Sequence, residues 1–187
     1  MLFMRNEQRY TAGQKVLLSS VKWDKLSAEE KDLLRRCLLP RTKYLPRSDE
    51  EGREIALQML DTEKYDAMFR LVEDICAQFG KLTCGWARGD EIWELYYSLR
   101  RKSSLLCRIG LALNVFYLVI PLNHAECERF EAERDKFPRM EIQWNYDMAP
   151  LRNGQKYAMF DVSDPAVLPY LFRLLSYKQK PKQSCKN

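Results

Sequence analysis

The chain holds one histidine and six cysteines, its most obvious ligands and nucleophiles. His124 and Cys127 form an H-x-x-C pair on one face of a predicted helix. A structural zinc takes four protein ligands and a catalytic zinc three, so Cys84 and Cys107 would have to converge on the pair from elsewhere. As a nucleophile and its base, the two share one helical turn and have no orienting acid beside them. The sequence therefore assigns no metal, no cofactor and no catalytic residue. Cys37, Cys76 and Cys107 lie among apolar neighbours and read as small core side chains, whereas Cys84, Cys127 and Cys185 read as exposed. No C-x-x-C pair occurs, and unpaired thiols suit a reducing compartment.

Trp86, Arg88, Asp90, Glu91, Trp93 and Glu94 are the densest mixture of aromatic and ionisable groups. Neighbouring carboxylates do acid–base work only when their surroundings separate their pKa values, and adjacency alone does not achieve that. The plainer reading is a hairpin approach carrying surface charges and packed tryptophans. Arg108 is distinctive because it interrupts an apolar strand, on the face opposite Leu105, Cys107 and Ile109. With one open concave sheet face, Arg108, Glu94 and Tyr96 would line it and hold a small anion or polar ligand. The competing account is a solvated face with a cross-strand Glu94–Arg108 ion pair. Trp144 and Tyr146, in the segment Met140–Gln155, complete the candidate ligand-binding set of Trp86, Glu94, Tyr96, Arg108, Trp144 and Tyr146.

Polyanion binding has a narrower basis. The formal charge is +5, and Lys178, Lys180, Lys182 and Lys186 near the C-terminus account for most of it, leaving a nearly neutral body. Arg35, Arg36, Arg41, Lys43 and Arg47 form one basic cluster and Arg100, Arg101 and Lys102 another, diluted by Asp49–Glu51 and by the acidic stretch Glu126–Glu133. Neither a P-loop nor a G-x-G-x-x-G fingerprint is present. The longest apolar run, Leu111–Leu122, contains Asn114 and Pro121 and is too short to cross a bilayer. The opening MLFMRNEQRY has too brief an apolar stretch for a secretory leader, so the expected address is cytoplasmic, with no membrane partner.

The elements that must position these residues follow from periodicity and capping. Ser27 and Glu30 form a capping box before the stripe Leu33, Leu34, Cys37 and Leu38, which Pro40 ends. A second helix starts near Asp49, and a third spans Thr62–Phe79 with apolar residues at helical spacing. The pattern then changes to period two: Trp93, Leu95, Tyr97 and Leu99 face one way, Glu94, Tyr96 and Ser98 the other. A polar turn links this strand to SLLCRIGL, and LNVFYLVI, apolar on both faces, reads as central. Asn123 caps a helix running to about Lys136, Met140–Gln155 reads as an irregular loop with a short strand, and Lys156–Val162 is the final strand. Asp164 and Pro165 open the last helix. The fold class is α+β, an antiparallel sheet of about four strands packed by helices. Residues 1–61 are expected to form a helical extension packed on the core, 62–177 the core domain and 178–187 a basic flexible tail.

The runs KYDAMFRLVEDI, WELYYSLRRKSSLLCRIGLALNVFYLVIPL and YAMFDVSDPAVLPYLFRLLSYKQK resemble small bacterial α+β proteins of unknown function, loosely related to YjbR-like and YdhG-like domains. The resemblance covers about residues 62–180. It implies a helix-covered antiparallel sheet and carries no chemistry. The function expected from sequence is a non-enzymatic module that binds a small polar or anionic ligand or a protein partner. An enzyme with a polar pocket near Trp86–Glu94 and Arg108, and a weak nucleic-acid binder using the basic clusters and tail, stay open as alternatives.

Overall fold

A strand that is apolar on both faces must have cover on both, and the fold is arranged around one such strand. The computed structural model of the chain describes residues 27–28, 45–88, 95–112 and 114–181. The predicted helix after Ser27, the acidic residues Asp90, Glu91 and Glu94, Trp93, and residues 182–187 of the basic tail lie outside these.

Helix α1 (Asp49–Met59) is capped by Ser48, and α2 (Thr62–Phe79) by Asp61, whose side chain accepts from Lys64 N. Gly80 ends α2 at φ 93°, a conformation that glycine adopts without steric cost. Strands β1 (Thr83–Arg88), β2 (Leu95–Arg101), β3 (Ser104–Ala112) and β4 (Val115–Leu122) follow as an antiparallel meander. Helix α3 (His124–Ala132) opens with the capping box of Asn123 and Glu126, and a short 3-10 turn, Arg134–Lys136, succeeds it. Helix α4 (Met140–Asp147) and the hairpin of β5 (Leu151–Arg152) and β6 (Gln155–Asp161) come next. The chain then turns through Pro165–Val167 into α5 (Leu168–Lys178).

Among the described residues the sheet has six strands rather than about four, in the order β1-β2-β3-β4-β6-β5, every described pairing being antiparallel. Strand β1 was not expected, because it mixes polar and small residues without an apolar alternation, and the short strand expected within Met140–Gln155 is β5, only two residues long. The expected loop over Met140–Gln155 also proves to contain α4, and Asn153 and Gly154, both at positive φ, make the tight turn into β6.

One face of the sheet carries the main core. Leu95, Tyr97, Leu99, Cys107, Ile109, Leu111, Phe116, Leu118, Ile120, Ala158 and Phe160 all belong to it. The buried apolar side chains of the five described α-helices join the same cluster: Ala56 and Met59 from α1, Met68 and Ile75 from α2, Phe130, Tyr146, and Leu171 and Leu174 from α5. Among the described residues, no helix is long and apolar enough to cross a membrane.

Ion pairs tie the helices together at their ends. Lys178, assigned from sequence to the flexible tail, is the last residue of α5 and its ammonium lies 3.0 Å from Glu126, both side chains about nine-tenths buried. It also donates to the Pro121 carbonyl. Removing one partner of a buried pair leaves the other charge without compensation. Lys178→Ala is therefore expected to cost about 3 kcal/mol, read as a lower urea midpoint at unchanged slope. Glu133 accepts from Arg173 at 2.8 Å and Tyr177 at 3.1 Å, and these donors, Arg173 foremost, pull its carboxyl from 4.5 down to about 2. A folded pKa below the unfolded one gives stability that is complete above about pH 4.5 and is lost as the pH falls towards 2. Melting temperatures across that window should fall more steeply for the native chain than for Glu133→Gln.

Candidate functional site

Side-chain parity decides which candidates can meet, because successive residues of a strand point to opposite faces. Tyr97 and Leu99 face the helices, so Tyr96 and Ser98 point away; Cys107 and Ile109 place Arg108 and Gly110 on that second face. Strand β4 adds Tyr117 and Val119, and β6 adds Tyr157 and Met159. Tyr96, Tyr117 and Val119 form a separate apolar cluster there, with Ala87, Tyr157 and Met159 against it.

The register lines these residues up in rows across the sheet. Gly85 lies opposite Ser98, Ser98 opposite Arg108, and Arg108 opposite Val119. In the next row Ala87 faces Tyr96, Tyr96 faces Gly110, and Gly110 faces Tyr117. The Arg108 guanidinium carbon is 5.3 Å from the Tyr96 ring centroid, within cation–π range. Among the described residues, neither Arg108 Nε nor Ser98 Oγ has a hydrogen-bond partner, although both atoms are buried. A Cβ built on Gly85 would meet nothing within 4 Å, so there is room beside Ser98.

The sheet divides the candidate residues chosen from sequence. Tyr96 and Arg108 do share the second face, as parity implied. Trp86 lies on the other face: its indole donates to Asp49 at 3.1 Å, meets Tyr97 edge-on at 4.7 Å and lies over Gly52 of α1. Tyr146 is a core aromatic stacked on Phe130 at 3.9 Å, and Trp144 stands half-exposed on α4. A single pocket holding Trp86 and Arg108 is thus divided by the sheet itself. Glu94 lies outside the described residues, and the residue opposite Arg108 on β2 is Ser98. Ser98, Gly85 and Tyr117 went unselected. Ser98 shares Tyr96's parity and was the available signal, whereas Gly85 could not be placed before β1 was known.

The other chemistry-bearing groups are dispersed. His124 is exposed and 3.3 Å from Glu128, while Cys127 approaches the Leu122 carbonyl. Cys84 and Cys127, expected to be exposed, are partly buried against the main core. Burial, followed by the nearby Cys76, pushes the Cys84 thiol up to about 11, and burial pushes Cys107 up as well. These thiols are therefore weak nucleophiles at neutral pH. Among the described residues, no group of three or more His, Cys, Asp or Glu side chains could hold a metal. A cleft of about 390 Å³ opens between α2, the start of β4 and the segment before α5. Its rim mixes Glu63 and Asp74 with Lys64 and Arg70, and Lys64 is engaged by Asp61 and Asn114.

Gly110 is the tightest point of the second face. A Cβ there would fall 2.3 Å from ring atoms of Tyr117, itself almost fully buried. Gly110→Ala should therefore displace Tyr117 and destabilise the chain by about 1–3 kcal/mol, measured by urea unfolding.

Comparison with known proteins finds no matching family model, curated protein or solved structure.

Proposed function

We propose that this chain is a binding module that takes a small anion on the second face of its sheet, anchored by the Arg108 guanidinium and the Ser98 hydroxyl. The observation that carries this reading is the pair of cross-strand neighbours, Arg108 Nε and Ser98 Oγ, buried without an acceptor or donor among the described residues. A buried polar group without a partner costs about 1–3 kcal/mol, and more when charged. An anionic ligand offsets that cost directly. The guanidinium edge formed by Nε and one Nη matches a carboxylate or phosphate with two parallel hydrogen bonds. Tyr96 holds the guanidinium plane from its ring face, and Gly85 leaves space on the far side of Ser98.

The small polar or anionic ligand expected from sequence is narrowed here to an anion, and its site to the Gly85–Ser98–Arg108 row. The resemblance to small bacterial α+β proteins supplies no chemistry, so the reading stands on the sheet face. An enzymatic reading has less support, since Trp86 and Arg108 lie on opposite faces of the sheet.

Melting curves of the full chain with inorganic phosphate, sulfate or malonate test the proposal. Saturable stabilisation by at least one anion is expected, reaching about 5–10 °C at a hundredfold excess over Kd. Arg108→Met, which keeps the packing over Tyr96, should abolish the shift. Gly85→Val should weaken it by filling the space beside Ser98. A native chain that shows no saturable shift with any of the three overturns the reading.

A further inference from the structure

Helix α4 is apolar on two opposite sides, and only one of them is packed. Ile142 and Tyr146 are buried in the main core. At about 100° per residue, Met140, Trp144 and Met148 project from the other side in a single row. Met148 still belongs to the last helical turn, since its amide donates to the Trp144 carbonyl at 2.9 Å. These three side chains are 82%, 47% and 50% exposed, and Leu151, at the start of β5, is 72% exposed. A surface helix ordinarily has one apolar stripe, directed at its own core, with polar residues opposite. Single exposed apolar residues are commonplace, but a row of them along one helix forms a patch of the kind that marks an interaction surface.

Charge decides what the patch can receive. Helix α4 has no basic side chain, and Glu141 and Asp147 border the exposed row on its two sides. Each is held by an arginine that a second carboxylate shares: Arg139 pairs with Glu141 and Asp164, Arg134 with Asp147 and Glu131. Among the described residues, two guanidiniums thus serve four carboxylates, each about half exposed, so the margins of the row keep an acidic excess. A second copy docked row to row would set acid against acid along both margins, whichever way the two helices ran. An anionic bilayer would be repelled for the same reason.

We propose that the outer side of α4, continued by Leu151, is a docking surface for a basic amphipathic helix of a partner protein. Apolar residues of the partner, at three- and four-residue spacing, pack on Met140, Trp144 and Met148. Lysines or arginines beside them complete the ion pairs that Glu141 and Asp147 otherwise share with neighbouring carboxylates. The two methionines give adaptable, polarisable contact, and Trp144 is the rigid anchor between them. The row is about 12 Å long and engages about two turns of a partner helix, an interface of the small, transient class. The inference needs nothing from the anion site, because α4 packs on the other face of the sheet.

The probe is a labelled helical peptide of about 15 residues, leucine along one side and lysine along the other, with a counterpart carrying glutamate for every lysine. Fluorescence anisotropy with the full chain should show saturable binding of the lysine peptide that weakens with salt, and no binding of the glutamate peptide. Met140→Gln with Trp144→Gln should weaken binding about tenfold or more. Glu141→Gln with Asp147→Asn should weaken it several-fold and flatten its salt dependence. For a readout in an otherwise native chain, p-benzoylphenylalanine placed at Met148 should capture the lysine peptide on irradiation. The same group at Leu57, comparably exposed on α1, should not. No saturable binding of the lysine peptide, undiminished binding by either variant, equal binding of the glutamate peptide, or equal capture at Leu57 overturns the proposal. So does a dimer of the free chain that Met140→Gln with Trp144→Gln dissolves, since the occupant is then a second copy.

Discussion

Exclusion of water from both sides of β4 is the constraint on which the rest of the structure depends. Phe116, Leu118, Ile120 and Leu122 belong to the core beneath the helices, while Tyr117 and Val119 are buried on the other side. A strand of this kind has to be central, and it has β3 on one side and β6 on the other. The antiparallel meander β1–β4 sets β3, and beyond it β2 and β1, on one side of β4, and the longer excursion through α3 and α4 returns β6 to the other side. Each burial adds about 1.5–3 kcal/mol for a large apolar side chain, which is enough to organise the sheet around this one strand.

The same constraint explains what the sequence disclosed. Helix α2 was read at its observed limits because Tyr65, Met68, Phe69, Val72, Ile75, Cys76 and Phe79 recur at helical spacing and Gly80 stops it. Strands β2 to β4 were legible because alternation or continuous apolarity marks burial on one or both faces. Strand β1 was not, since Thr83, Gly85 and Arg88 break any pattern and its pairing is fixed by tertiary register. Helix α4 hid between Pro138 and Pro150 because it buries only Ile142 and Tyr146. Asn153–Gly154 was a strong local hairpin signal that deserved more weight than the prolines around it.

Legibility of the candidate site followed legibility of the strands. Arg108 and Tyr96 lie on strands whose parity could be counted, and they do share a face. Trp86 lies on the strand that could not be counted, and it points to the opposite face. Charge was the least informative guide: Lys178 looked like one more tail lysine, yet it is held between Glu126 and the Pro121 carbonyl. No periodicity reports which lysine of a basic run will find a buried carboxylate.

The outer strands have a bearing on how the molecule behaves among its own kind. The long strands β2, β3 and β4 all lie inside the sheet, whereas one margin is β5, only two residues long. The other margin, β1, has six residues with Gly85 near its middle and Arg88 at its end. Short, glycine-interrupted and charged margins offer little continuous ladder for a foreign strand. Among the described strands the sheet is thereby self-terminating, and its most apolar strand is kept two positions from one rim and three from the other, away from edge-to-edge fibril growth.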